Sequence, residues 1–195
     1  MKKLLLIGIL LLTGCAQTNT PQESKATGVI KLQTVKVIDP ATMMYGEGSA
    51  FAVSPNVVVT ALHNLSDPYT ILKLNGKPVI VLKSVPFGRD GLAIVVNRIP
   101  KGTKIYAMKE CPAPGTIIKA AGYIPSKGFA ELKGTLTATG TIAGLVSKGQ
   151  SGGAILHQGK AIGTISALIP TYGISLFDPL DIPMLNKLIE ENNYE

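Results

Sequence analysis

Gly48-Ser49-Ala50-Phe51-Ala52-Val53-Ser54-Pro55-Asn56-Val57-Val58-Val59-Thr60-Ala61-Leu62-His63 is the most informative run of the chain. Two apolar segments, Ser49 to Val53 and Val57 to Thr60, flank the turn residues Ser54-Pro55-Asn56. Pro and Asn favour turns through fixed or tolerant backbone angles. Valine favours extended backbone, where its branched side chain packs against neighbours. The run therefore predicts a hairpin that delivers His63 to its end. The chain holds only two histidines, so chance placement at the end of such a hairpin is a weak explanation.

Short apolar runs separated by turns continue on both sides. Residues 29–37 mostly alternate, as a half-buried strand should. Residues 71–74, the turn Asn75-Gly76, and residues 79–82, 92–96 and 104–108 follow. After Pro112 and Pro114 the pattern restarts, with candidate strands at 116–121, 130–138, 154–157, 161–167 and 172–177. Short strands at this spacing indicate an all-β sandwich or barrel. The 21 glycines and 13 prolines among 195 residues suit the many turns such a fold needs. One helix is expected: Asp181 caps a segment running to about Asn192, with Leu185, Leu188 and Ile189 on one face. Pro183 fits the first turn, where its missing N–H is not needed.

Two further motifs carry chemistry. Lys148-Gly149-Gln150-Ser151-Gly152-Gly153-Ala154 surrounds a serine with glycines. Gly149 permits an unusual backbone next to a serine hydroxyl. Gly88-Arg89-Asp90-Gly91-Leu92-Ala93-Ile94-Val95 places an aspartate just before an apolar strand. A carboxylate there can accept the Nδ1 proton of His63 and fix its tautomer. Asp67 is the rival, four residues after His63 on the same short turn, and Asp90 is the better geometric choice.

These motifs resemble those of the trypsin-like serine proteases. Thr60-Ala61-Leu62-His63 is similar to that family's Thr-Ala-Ala-His, with Leu62 at the second alanine. Gly149-Gln150-Ser151-Gly152-Gly153 is similar to Gly-Asp-Ser-Gly-Gly, with Gln150 at the aspartate. The order His63, Asp90, Ser151 matches that family, although Gly91 intervenes before the Leu-Ala strand. Gly149 to Gly153 also satisfies the Gly-x-Ser-x-Gly elbow of α/β-hydrolases, but chain order rejects that reading. A hydrolase triad runs Ser, Asp, His, and the one histidine after Ser151 is His157, with no aspartate between.

The resemblance runs from about Gly28 to the C-terminal helix. It implies two antiparallel six-stranded β-barrels, chymotrypsin-like, with a C-terminal helix: a first barrel over about 28–110, a second over about 115–180, and the helix over about 181–192. It implies a serine endopeptidase in which His63, Asp90 and Ser151 are catalytic. Gly149 and Ser151 form the oxyanion hole. Leu145 and Val146 lie near the base of the substrate pocket, and Ser166 and Ala167, in Thr164-Ile165-Ser166-Ala167, wall it and pair with substrate. No aspartate occupies 141–148, so a basic residue before the cleaved bond is not indicated; an apolar or small one is expected. Gln150 carries no charge, so the oxyanion loop cannot be ordered by pairing with a freed α-amino group. Gln150 bonded to backbone is the expected substitute. The alternative function is a catalytically silent domain that binds peptides or envelope components.

The first residues read as a secretory signal: Lys2 and Lys3, then an apolar run from Leu4 to Leu12. Leu12-Thr13-Gly14-Cys15 resembles the lipobox of bacterial lipoproteins. That implies cleavage after residue 14, a lipid on Cys15, and a polar tether over 15–27. The protein is thus expected to be anchored in the cell envelope, facing the extracytoplasmic side. The other cysteine, Cys111, is then left without a disulfide partner and reads as structural. The net charge is +7, but the lysines form no run and only 5% of residues are aromatic. Nucleic acid, which wants clustered cations and stacking rings, is not an expected partner. A protein or peptide substrate, a membrane reached through the lipid, and a monomeric state are expected, with no metal and no cofactor.

Overall fold

The computed structural model describes residues 28–39, 42–65, 71–125, 127–144 and 146–193. The expected signal, Cys15 and the tether lie outside the described residues, as does Asp67.

Seven strands form the first sheet: β1 (Val29–Asp39), β2 (Thr42–Ala52), β3 (Val57–Ala61), β4 (Ile71–Leu74), β5 (Lys77–Val79), β6 (Val81–Phe87) and β7 (Gly91–Val96), in spatial order β5-β4-β1-β2-β3-β7-β6. Six more close into a barrel: β8 (Ile117–Ile124), β9 (Gly128–Ala138), β10 (Thr141–Ala143), β11 (Ala154–His157), β12 (Lys160–Ile169) and β13 (Ile174–Pro179), in order β10-β13-β12-β11-β8-β9. The helix α1 (Ile182–Asn192) ends the described chain. The all-β class, the two-unit plan and the terminal helix are as expected, and the second unit is a closed six-stranded barrel.

The first unit is a seven-stranded sheet, and two of its expected strands differ. The expected strand at 79–82 divides at Ile80, which is exposed; β5 pairs with β4, whereas β6 pairs with β7. The expected strand at 104–108 joins neither sheet. It is an extended connection that makes one parallel bridge to each unit, Ala52 with Ile105 and Met108 with Ala161. Tyr106 N–H donates to Ala52 O at 2.9 Å and Lys109 N–H to Ala161 O at 2.8 Å. The segment therefore stitches the two units together.

Three apolar clusters explain why the strands read as they do. In β3 and β7 every residue is buried. Alternate residues divide between two cores: Val58, Leu92 and Ile94 fill the first sheet, whereas Val57, Val59, Ala93 and Val95 face the seam between the units. A strand covered on both faces loses polar alternation. Phe129, Ala154 and Leu156 complete the seam from the second barrel. Ile118, Leu136, Ile155, Ile162 and Phe177 fill that barrel's interior. Helix α1 closes the seam. Asp181 caps it, accepting from Met184 N–H at 3.0 Å. Leu185 and Leu188 are buried in the seam cluster; burial of each contributes about 2 kcal/mol. Asn56 Nδ2 on the first sheet's turn donates to Asn192 O at 2.6 Å.

Candidate active site

Strand register brings His63 and Asp90 together. β3 and β7 are antiparallel neighbours with Ala61 opposite Gly91. A single 3-10 turn, Leu62–Leu65, follows β3 and carries His63. Asp90 immediately precedes β7 and so emerges at the same edge. Leu62 N–H donates to Asp90 O at 2.5 Å, and His63 N–H donates to Asp90 Oδ1 at 3.0 Å. The other carboxylate oxygen, Oδ2, lies 2.6 Å from His63 Nδ1 and accepts from Ser166 Oγ at 3.0 Å. Gly91, the departure from the family pattern, has a packing cause: it faces Phe87 across the β6–β7 hairpin, and a Cβ there would stand 2.5 Å from the phenyl ring.

Ser151 comes from the other unit, on the loop between β10 and β11. Its Oγ lies 2.7 Å from His63 Nε2 and 2.9 Å from Ser166 O. A neutral imidazole with its proton on Nδ1 donates to Asp90 and leaves Nε2 to accept from Ser151. The hydroxyl has one proton, so Ser166 O competes for it in the resting site. The arrangement can move a proton from Ser151 to His63, whose resulting positive charge faces Asp90.

Several buried contacts hold this loop. Gln150 is fully buried. Its Oε1 accepts from Ser147 N–H at 2.7 Å and its Nε2 donates to Ala130 O at 3.1 Å. Ser49, also fully buried, donates from Oγ to Gly149 O at 3.0 Å, and its N–H donates to Ser151 O at 2.8 Å. Asn64 Nδ2 donates to Ser151 O at 3.0 Å. Gly149 has φ +94°, and a Cβ on it would overlap Pro125; only glycine fits that conformation without strain. Among the described residues, the N–H groups of Gly149 and Ser151 have no acceptor.

The cleft beside Ser151 and His63 holds about 500 Å³ and is lined by Val146, Gly149, Ile165, Ser166, Ala167 and Leu168, together with Glu47. Val146, Ser166 and Ala167, expected at the substrate pocket, are among the residues that line this cleft; Leu145 lies outside the described residues. Lys31 pairs with Glu47 at 2.7 Å and holds its carboxyl below the usual carboxylate range. His157 is remote, its Nδ1 3.5 Å from Lys109 Nζ. Burial pushes the Cys111 thiol up, which disfavours the reactive thiolate and suits a packing role.

No protein-family model and no curated protein matches the chain. Among solved structures, the HtrA-type protease AlgW, determined with a decapeptide, superposes with a TM-score of 0.68. The match covers 88% of this chain and 67% of that one, at 18% identity. The fold is trypsin-like. At that identity the likeness fixes the fold and leaves the chemistry to this chain's own residues.

Three contributors escaped the motif reading. Ser49 sits inside the quoted hairpin run and Asn64 directly follows it, but their bonds to the Ser151 loop exist only once the second unit has docked. Asp178 stands in β13, 88 residues from the loop it touches. The available signal was an aspartate directly after the apolar pair Leu176-Phe177, where a charge that becomes buried needs a partner.

Proposed function

We propose that this chain is an extracytoplasmic serine endopeptidase, anchored to a membrane through a lipid on Cys15. The observation that carries the catalytic reading is the relay of short contacts, Ser151 Oγ to His63 Nε2 at 2.7 Å and His63 Nδ1 to Asp90 Oδ2 at 2.6 Å, at the mouth of a cleft.

His63 takes the Ser151 proton as Oγ attacks a peptide carbonyl carbon. The carbonyl π pair moves to oxygen, and the oxyanion is held by the N–H groups of Gly149 and Ser151. Asp90 stabilises the imidazolium and keeps its ring in place. His63 then gives its proton to the departing amine as the C–N bond breaks, leaving an acyl ester on Ser151. Water, deprotonated by His63, attacks that ester, and Ser151 recovers its proton. The cleft walls Val146, Ile165 and Leu168 are apolar, which supports an apolar or small residue before the cleaved bond. The extended backbone of β12 at Ser166 and Ala167 is suited to pairing with substrate.

A fluorophosphonate probe tests the reading, because only an activated serine reacts fast. Wild-type protein should be labelled at Ser151 and should cleave a peptide library. Ser151→Ala should do neither while keeping the fold. A wild-type protein inert to the probe would overturn the peptidase reading.

A further inference from the structure

The Asp90 loop is held by a second carboxylate from the opposite unit. Asp178 lies in β13 and is only 2% exposed. Its Oδ1 accepts from Arg89 N–H at 2.9 Å, and its Oδ2 accepts from Asp90 N–H at 3.0 Å. Both oxygens are therefore committed to two successive backbone amides of one turn. The Arg89 guanidinium approaches the same carboxylate from outside, Nε to Oδ1 at 3.9 Å. Gly88 completes the fit. It takes φ +60°, and a Cβ there would stand 2.7 Å from Asp178 Oδ1. Charge-assisted bonds to backbone N–H groups are shorter and roughly twice as strong as neutral ones.

The placement matters because of what lies on the adjacent strand. Asp178 pairs with Thr164 across the β12–β13 ladder, and Ser166 follows two residues later on β12. Ser166 grips the Asp90 side chain from the same strand whose partner grips the Asp90 backbone. The second barrel thus holds Asp90 at two points and, through it, sets the distance and tilt of His63.

We propose that Asp178 is a positioning residue for the His63–Asp90 pair, a buried carboxylate that docks the Asp90 turn onto the Ser151-bearing barrel. It touches neither substrate nor the reacting atoms. This rests on the serine endopeptidase reading, and its first test does not depend on activity. The Arg89 and Asp90 amide protons lie in a turn, where exchange with solvent is ordinarily fast. Bonded to Asp178, both should exchange as slowly as the strand amides of β7 in Ser151→Ala protein. Fast exchange of either overturns the clamp, and the result reads the same whether or not the chain proves to be a protease.

The kinetic test uses Asp178→Asn, which keeps the shape but sets an NH₂ donor against one N–H. Its expected effect is a loss in kcat of about 10²-fold with KM little changed, as misplacement of a catalytic group produces. The downfield proton resonance of the His63 Nδ1–H to Asp90 bond should shift in the same variant. In an Asp90→Asn background, Asp178→Asn should cost almost nothing more, because the two act as one unit. Equal losses in both backgrounds would make Asp178 a merely structural residue, and an unchanged kcat would remove it from the site altogether. If Asp178→Asn does not fold, Gly88→Ala crowds the same carboxylate from the loop side and is read in the same way.

Discussion

Gln150→Glu tests how the Ser151 loop is ordered, because the two side chains share a shape and differ in one donor. Gln150 is fully buried, accepting from Ser147 N–H and donating to Ala130 O. A neutral glutamic acid can reproduce both bonds. An ionised one sets an anionic oxygen against the Ala130 carbonyl. A buried charge without a counter-ion costs several kcal/mol, so the introduced acid holds its proton in the folded state and its pKa is raised. In the unfolded chain a glutamate titrates near about 4.3. Below that pH both states bind the proton, and the variant should match its parent. Above it, folding must take up a proton. The deficit then grows by about 1.4 kcal/mol per pH unit until the pH passes the folded-state pKa, reaching about 4 kcal/mol at neutral pH if that pKa lies above 7. Against a typical stability of about 5–15 kcal/mol this is large. The assay is urea unfolding from about pH 4 to about pH 8, with both proteins carrying Ser151→Ala to prevent self-cleavage. A stability gap that opens as pH rises is expected. A gap independent of pH would refute the donation from Gln150 to Ala130 and, with it, this account of the loop.

The remaining predictions concern the site and its delivery. Ser151→Ala and His63→Ala should each lower turnover on the order of 10³-fold or more, and the double variant should cost little extra; additive losses in steady-state kinetics would contradict a shared role. Gly149→Ala forces a side chain into a φ +94° position against Pro125; kcat should fall on the order of 10²-fold with probe labelling slowed in parallel, as loss of an oxyanion donor requires. Cys15→Ser should move the protein out of its membrane fraction, and mass spectrometry of wild type should find a lipid on Cys15.

The fold class was legible because strand spacing, turn residues and one capped helix all agree. His63, Asp90 and Ser151 were legible for a different reason. Each stands at the end of a strand or in a glycine loop, where local sequence alone marks the place. The failures were of two physical kinds. Residues 104–108 have strand composition, but a strand needs a neighbour along its length, and here only Ile105 and Met108 find one. Composition reports a preference for extended backbone, not the partner that makes it a sheet. β10 went unread because its three residues are too short to show a period. Ser49, Asn64 and Asp178 were silent because each acts across the seam, and a single sequence does not say which distant residues meet there.

That seam explains how a site split between two units is kept in register without a disulfide among the described residues. Each unit contributes an incomplete set: His63 and Asp90 from the first, Ser151 and Ser166 from the second. Polar clamps cross the boundary, among them Ser49 to Gly149, Asn64 to Ser151, Ser166 to Asp90, and Asp178 to the Arg89–Asp90 turn. Polar groups of this kind gain little net free energy when paired, about 1 kcal/mol each, but cost more when buried and left unpaired. They therefore act mainly against misdocking: any sliding of one unit past the other strands several donors and acceptors at once. The attraction comes from the apolar seam, to which Val57, Val59 and Val95 contribute from one side, Ala154 and Leu156 from the other, and Leu185 and Leu188 from α1. Burial supplies force without direction, and the clamps supply direction with little force. The same side chains that fix the docking geometry end on the loops of Asp90 and Ser151, so native docking and assembly of the His63–Asp90–Ser151 contacts are one event.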